Sequence, residues 1–374
     1  RLSFTVTKTL PKWKEQLSIT PQLRYGFSNT HFNPQLQFSL SKRAFSYDSE
    51  GGSSSRRTLS LLGGKRVSQF NRDNPITPLM NGLYTLLARK NYMKIYESWF
   101  TEAVYSKRMD NGLSFSVRGM FEDRLPLENT SNFSFFGSKQ TRPFTPNYPI
   151  EKLSGQFNRH QAVIAVVNVE YRPGQRYIQF PRGKRAIGSK YPTLGLSYEK
   201  GFDKLFGSDV DFDKWRFSVW DDINLKLFGK TKYRIGIGGF INDKKVFIQD
   251  FQHFNGNQLF FASEFLNSFQ LAPYYANSTT ESFYTIGHLE HHFNGLLTNK
   301  IPFFRRLNWH LVGGANAFFV NTDNNYAEVF AGLENIFKVF RVDVVASYLN
   351  GKNGTVGVRL GLGGLLGSSG RGGR

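Results

Sequence analysis

Apolar and polar positions alternate with a period of two through most of this chain, the spacing of a strand with two unlike faces. In residues 16–28, QLSITPQLRYGFS, one face carries Leu17, Ile19, Leu23, Tyr25 and Phe27. The other carries Gln16, Ser18, Thr20, Gln22, Arg24 and Ser28. After a break at Asn29-Thr30, HFNPQLQFSLSK (31–42) repeats the pattern, which predicts a hairpin. LSFSVRGMFEDR (113–124) sets Leu113, Phe115, Val117 and Phe121 against Ser114, Ser116, Arg118, Glu122 and Arg124. KYRIGIGG (232–239) sets Tyr233, Ile235 and Ile237 against Lys232, Arg234, Gly236 and Gly238. RVDVVASYL (341–349) sets Val342, Val344, Ala346 and Tyr348 against Arg341, Asp343 and Ser347.

Roughly 14 to 16 such segments can be counted, many near the length at which a tilted strand crosses a bilayer. They include 1–8, 57–68, 96–108, 161–172, 191–200, 215–228, 307–320 and 326–336. Aromatic residues gather at strand ends, as in Tyr25/Phe27, Phe283/Phe293, Trp309/Phe319 and Tyr348, where the interfacial girdles of a membrane barrel lie. The expected fold is all-β: a transmembrane antiparallel β-barrel of about 14–16 strands, forming one domain over residues 1–374. Closure is expected because lipid leaves no partner for a free sheet edge.

Three breaks in the alternation read as loops: 45–56, 125–159 and 243–281, the last with its own apolar stretch QLFFASEFLNSF. Residues 79–91 place Leu, Tyr and Met at helical intervals and predict a short helix that plugs or lines the lumen. The chain opens directly on the strand-like RLSFTVTK, so the true N-terminus is expected upstream.

Composition narrows the class. The chain has 37 Phe, 17 Tyr, 5 Trp and 36 Gly, yet its mean hydropathy is −0.39, an unusual mixture of aromatic and polar character. No run of about 18 apolar residues encodes a spanning helix, which leaves a barrel open. The absence of Cys removes disulfides and thiolate ligands. A net charge of +20 is compatible with solvated loops, an anionic surface or an anionic solute. The bases are spread along the chain without a nucleic-acid-binding pattern, so no nucleic-acid partner is expected.

The stretch HLEHHFNG (288–295) holds three of the seven histidines. On a strand, His288, Glu290 and His292 share a face, and two imidazoles with a carboxylate resemble a zinc or iron ligand set. Leu289 and Phe293 mark the opposite face as the lipid side, with His291 near an interface. The polar face then looks into a lumen, where Asn308, His310 and Asn316 are expected from a neighbouring strand. A hydrogen-bonded network is the commoner outcome for such a cluster, so neither metal nor cofactor is expected. Such a ladder would change charge near neutral pH. Arg24, Arg118, Lys232, Arg234 and Arg359 fall on the same inferred lumen face. No Ser-centred nucleophile motif, HExxH or phosphate loop occurs, and no enzyme activity is expected.

The last strand, TVGVRLGL, places Thr355, Gly357, Leu360 and Leu362 in the pattern of a C-terminal sorting signal read by the outer-membrane barrel assembly machinery. It departs from the usual form in lacking a terminal Phe and in carrying the tail LLGSSGRGGR. KNYMKIYESWF (90–100), FPRGKRAIGSKYPTLGLSYEKG (180–201), HLEHHFNGLLTNKIPFFRRLNW (288–309) and AEVFAGLENIFKVFRVDVVASY (327–348) resemble the C-terminal barrel of an uncharacterised Gram-negative outer-membrane family. Those proteins carry an N-terminal carboxypeptidase-regulatory-like domain. More distantly the chain is similar to the surface-antigen superfamily, whose barrels insert or translocate proteins at the outer membrane. There, a long loop before the last five strands carries a Val/Ile-Arg-Gly-Phe/Tyr motif that folds into the lumen. The corresponding loop here has DFQHFNGNQ (250–258), and the similar Val117-Arg118-Gly119-Met120 lies within a strand.

The resemblance implies a protein of the cell outer membrane that assists assembly, insertion or translocation of envelope components. Its expected partners are outer-membrane lipids including lipopolysaccharide, the assembly machinery and other envelope proteins. The glycines of the final strand, with little side chain to pack, predict a labile seam against the first. The alternative is a channel selecting anionic solutes through the five lumen bases.

Overall fold

The computed structural model describes residues 2–362 except 12–14, 28, 43–55, 131–132, 137–143, 181–182 and 263. Most of the loop expected at 45–56, and the tail beyond Leu362, lie outside the described residues. The fold is all-β and of barrel type, built from one long antiparallel sheet.

The sheet begins with β1 (Leu2–Ser3) and β2 (Val6–Leu10), two parts of one run that both pair with β3 (Glu15–Gly26). It continues through β4 (His31–Lys42), β5 (Arg56–Gln69), β6 (Ile95–Arg108), β7 (Leu113–Pro126) and β8 (His160–Tyr171), each paired with its neighbour. A separate hairpin, β9 (Arg176–Phe180) with β10 (Gly183–Gly188), stands in the next connection. β8 then pairs with β11 (Thr193–Gly201), followed by β12 (Asp211–Asn224) and β13 (Lys230–Lys245). After a long loop come β15 (Tyr284–His292), β16 (His310–Asn321), β17 (Asn324–Ile336), β18 (Phe340–Leu349) and β19 (Lys352–Leu362). Within that loop, β14 (Phe261–Ala262) pairs with β19 in parallel.

Alternation decides which way each side chain points. On β13, Ile235 is exposed outward while Arg234 and Gly236 face the other side, and β15, β17 and β19 expose Leu289, Val329 and Val356 in the same manner. The exposed face is apolar, while the covered face mixes charged and polar side chains such as Arg124, Glu290 and Glu328 with apolar clusters. Tyr25, Phe27, Phe283, Phe319 and Tyr348 are all exposed at strand ends, as the pattern predicts.

Two boundaries differ from expectation. Residues 225–228 leave the strand to form a tight turn, in which Lys226 takes a left-handed conformation at φ 56°. Residues 302–307 are a short helix, α2 (Pro302–Leu307), and the strand starts only at His310. The helix expected at 79–91 is present as α1 (Pro78–Ala88), with Thr77 as its N-cap. It buries no residue completely, and Leu79, Leu83 and Leu87 face outward. Rather than plugging the lumen, it packs Met80 and Tyr84 against the long loop.

The three longest connections among the described strands, 70–94, 127–159 and 246–283, share one rim; the connections 172–192 and 293–309 lie on the other, where β19 finishes. No strand ladder joins β19 to β2 among the described residues; the edge of β19 is met by β14 instead.

Candidate functional site: the loop held inside the sheet

The connection from β13 to β15 packs on the covered side of the sheet. Most of its buried apolar residues fall in two clusters. Ile248, Leu259, Tyr274 and Tyr275 pack with Phe70, Ile76, Tyr96 and Phe157. Phe254, Phe269 and Ala272 pack with Tyr284, Phe318, Val320 and Tyr326. Phe254 stacks on Phe318 with ring centroids 4.1 Å apart. The loop braces itself through reciprocal backbone bonds between Gln252 and Thr279, at 2.9 and 3.0 Å.

Three polar anchors tie it to the wall. At the first, Asp250 accepts from Arg124 Nη1 at 2.6 Å and Nη2 at 2.8 Å, and from Arg72 Nη2 at 2.9 Å. Arg124 also donates to Glu122 at 3.0 Å, which Arg66 reaches at 2.6 Å; Arg72 reaches Glu199 at 2.9 Å. Burial opposes the charge on Asp250, but Arg124 foremost, with Arg72 and Lys214, outweighs it and holds the carboxyl down to about 2. Nearby His253 is shifted the other way: burial, reinforced by Lys214, lowers its imidazole to about 3, and its Nδ1 lies 2.7 Å from Ser278 Oγ.

At the second anchor, buried Glu328 accepts from the backbone N–H of Gln270 at 2.7 Å and of Leu271 at 3.1 Å. Asn316 Nδ2 at 2.7 Å and the Tyr326 hydroxyl at 2.8 Å complete its shell. The third anchor is Arg359 on β19, which donates to the carbonyl of Gln270 at 2.5 Å and of Asn257 at 3.4 Å.

β19 is shaped to receive the loop. A side chain at Gly357 would place its Cβ 2.7 Å from Leu271, and one at Gly361 would collide with the Phe265 ring. These glycines thus make room for loop side chains, beyond any effect on the seam. Phe261 stands opposite Leu360 and Ala262 opposite Gly361, with Leu360 N–H donating to Phe260 O at 3.0 Å.

The residues singled out in the sequence divide into groups. His288, Glu290 and His292 do share the covered face, but they do not form one ladder. His288 Nδ1 pairs with Asn316 Oδ1 at 2.9 Å and so joins the Glu328 anchor. His292 is placed between Glu290, at 2.6 Å, and Glu334, at 2.9 Å, using both ring nitrogens. Glu290 in turn accepts from Arg341 at 2.6 Å, and Arg341 grips Asp343. His310 follows the inward parity, yet its buried Nδ1 has no hydrogen-bond partner among the described residues. Asn308 is not part of the inner network: it ends α2 in a left-handed conformation, exposed, and its carbonyl accepts from Asn335.

The five expected lumen bases do not act alike. Arg118 lies 3.3 Å from Glu102 and Lys232 lies 3.5 Å from Glu290, so both are matched by carboxylates. Arg234 has a buried Nε without a hydrogen-bond partner among the described residues, Arg359 holds the loop, and Arg24 is exposed near a strand end. Alternation places Arg124 and Glu122 on the polar face without assigning them a role. Their partner Asp250 stands 126 residues beyond Arg124, in a loop with no alternation to signal it. Of the C-terminal signal residues, Thr355 bonds to Ser347, Gly357 and Leu360 meet the loop, and Leu362 ends the strand.

Among solved structures the chain is similar to CdiB from Acinetobacter baumannii, at 11% identity and a TM-score of 0.39. That alignment covers 92% of this chain and 52% of the other, so the chain spans about half the length of that protein. No curated protein matches. Residues 1–333 match the family described as "Family of unknown function (DUF5686) C-terminal domain". With most of its length matched, the chain belongs to the DUF5686 C-terminal domain family.

Proposed function

We propose that this chain is an integral outer-membrane β-barrel whose last strand is the working edge for inserting or translocating other envelope components. The observation that carries the reading is the unequal treatment of the two sides of β19. On one side β18 pairs with it from Phe340↔Leu362 to Leu349↔Lys352; on the other, two loop residues cover it in parallel. Exposed strand edges are templates for further strands, and proteins normally shield them. A shield of two residue pairs on a loop with its own anchors can leave without unfolding the wall, and the freed edge would accept an incoming strand by β-augmentation.

The outward apolar face supports the membrane setting, and the rim carrying the three longest connections is the better candidate for the external side. Lipopolysaccharide would then meet the long-loop rim, and the assembly machinery would meet the last strand during biogenesis. This reading assigns the chain no catalytic step, metal or cofactor. An anion channel draws less support, because Arg118 and Lys232 face carboxylates and the loop occupies the passage.

The chain contains no native Cys, so Phe261→Cys with Leu360→Cys forms a clean lock. In cells relying on this variant, oxidation should reduce the folded outer-membrane proteins seen by heat-modifiable migration, and reduction should restore them. Equal levels with the lock closed and open would sink the proposal.

A further inference from the structure

Three connections lie side by side on the rim opposite the long loops: 225–229, 293–309 and 337–339. They join strands that are consecutive in the sheet, β12 to β13, β15 to β16 and β17 to β18. Hydrogen bonds tie two of them to the ends of neighbouring strands: Phe228 O lies 3.0 Å from His291 Nε2 in β15, and Asn308 O accepts from Asn335 in β17 at 2.7 Å.

Each presents the same pair of properties. In Leu225-Lys226-Leu227-Phe228, Leu227 is 84% exposed and Phe228 64%. In α2, Phe303 is 62% exposed beside exposed Arg305 and Arg306, with Lys300 just before. In the third turn Phe337 is 79% exposed and is followed by exposed Lys338. Both residues of that last pair hold positive φ, 49° and 67°, a region disfavoured for side chains with a Cβ. The backbone is thus bent unfavourably to project an aromatic ring and a cation from the rim.

The nearby acids do not balance these cations. Asp221 is paired with Arg172, Asp222 with Lys230, and Glu334 with His292. What is left is large apolar side chains interleaved with Lys and Arg that no acid matches among the described residues, the composition that seats a surface at the boundary between headgroups and acyl chains.

We infer that this rim is a binding surface for anionic phospholipid. Leu227, Phe303 and Phe337 enter the headgroup boundary while Lys226, Lys300, Arg305, Arg306 and Lys338 contact lipid phosphates. The inference rests on the membrane-spanning reading above and deepens it: with the long loops external, this rim meets the phospholipid leaflet rather than lipopolysaccharide.

Trp309 reports on the rim, its ring 6.1 Å from those of both Phe303 and Phe304. The full chain is reconstituted in phosphatidylcholine vesicles containing either brominated phosphatidylglycerol or brominated phosphatidylcholine, with a Trp309→Phe variant to isolate the signal. The anionic lipid should quench Trp309 more strongly at low salt. Each cation changed to Gln at Lys300, Arg305, Arg306 and Lys338 should lower that excess by up to about fivefold, the equivalent of ~1 kcal/mol per basic residue near an anionic surface. Equal quenching by both lipids, or an excess surviving in the fourfold variant, overturns the inference and leaves the rim to a protein partner. Absence of quenching by either lipid overturns the spanning reading as well.

Discussion

Asp250→Ala tests whether the first anchor holds the loop in place. The substitution removes an acid on which fully buried Arg124 spends two donors and Arg72 a third. Deleting one member of a buried pair costs about 3–5 kcal/mol, because the remaining charge is left in a medium that solvates it poorly. Glu122 stays 3.0 Å from Arg124 and compensates part of that charge, which sets the expectation at the lower end, ~3 kcal/mol. The ratio of docked to released loop then falls by roughly 150-fold.

Hydrogen exchange reads this directly, since the amides of Phe269, Gln270 and Leu271 are protected only through docking partners and the loop's own fold. Those amides should exchange about two orders of magnitude faster, while strand amides of β12 and β13 keep their protection. A second variant separates lost charge from lost shape: Asp250→Leu with Arg124→Met replaces the pair by apolar groups and should recover most of the protection. Wild-type exchange in Asp250→Ala would refute the ion anchor as the holding element. Acid should reach the anchor late. With the carboxyl depressed to about 2, its stabilisation is complete above the unfolded value near 3.9 and is lost only as pH falls from about 4 towards 2.

His253 makes the loop sensitive to milder acid. Its folded imidazole is lowered to about 3, so between that value and about 6.5 the released loop binds a proton that the docked loop refuses. Lys214, Arg72 and Asp250 all act on the ring, and the net expectation is docking weakened by ~1.4 kcal/mol per pH unit below 6.5. Loop exchange corrected for intrinsic rates should rise about 15-fold from pH 6.5 to pH 5, and a flat profile would show the ring is not buried neutral. Gly357→Val should cost about 1–3 kcal/mol in thermal unfolding through its collision with Leu271; adding Leu271→Ala should return most of it, and failure to do so would place the strain elsewhere. In planar bilayers the chain should conduct weakly and without anion preference, given the matched Arg118 and Lys232. A strongly anion-selective current would favour the channel reading.

The strands were legible because period two is a local property: β3, β4, β7, β13 and β18 follow from residues a reader can mark by hand. Where the chain leaves the strand without losing its alternation, the pattern misleads. Leu225-Lys226-Leu227-Phe228 keeps an apolar rhythm but turns at Lys226, and Leu307, the first residue of an expected strand, instead ends a helix that Pro302 starts. A strand running back through residue 308 would point Asn308 inward, but Asn308 ends α2 and is exposed. The inner face of β15 was legible residue by residue, but the pairing on it was not: His288 goes to Asn316 and His292 to Glu334 according to sheet register and neighbours. Least visible was the loop. DFQHFNGNQ carries neither period, and its acid matters only because Arg72 and Arg124 converge on it from distant parts of the chain.

The close approach of the loop to β19 has a consequence for biogenesis. Gly357 and Leu360 belong to the pattern proposed as the address that delivers the unfolded chain, and in the folded molecule Leu271 covers one while Phe261 pairs with the other. If that pattern is the address, folding would hide the label from its reader. A finished barrel would let go of the machinery that delivered it without any separate release step, whereas one whose loop fails to dock would keep its label displayed and remain a captive of the assembly line.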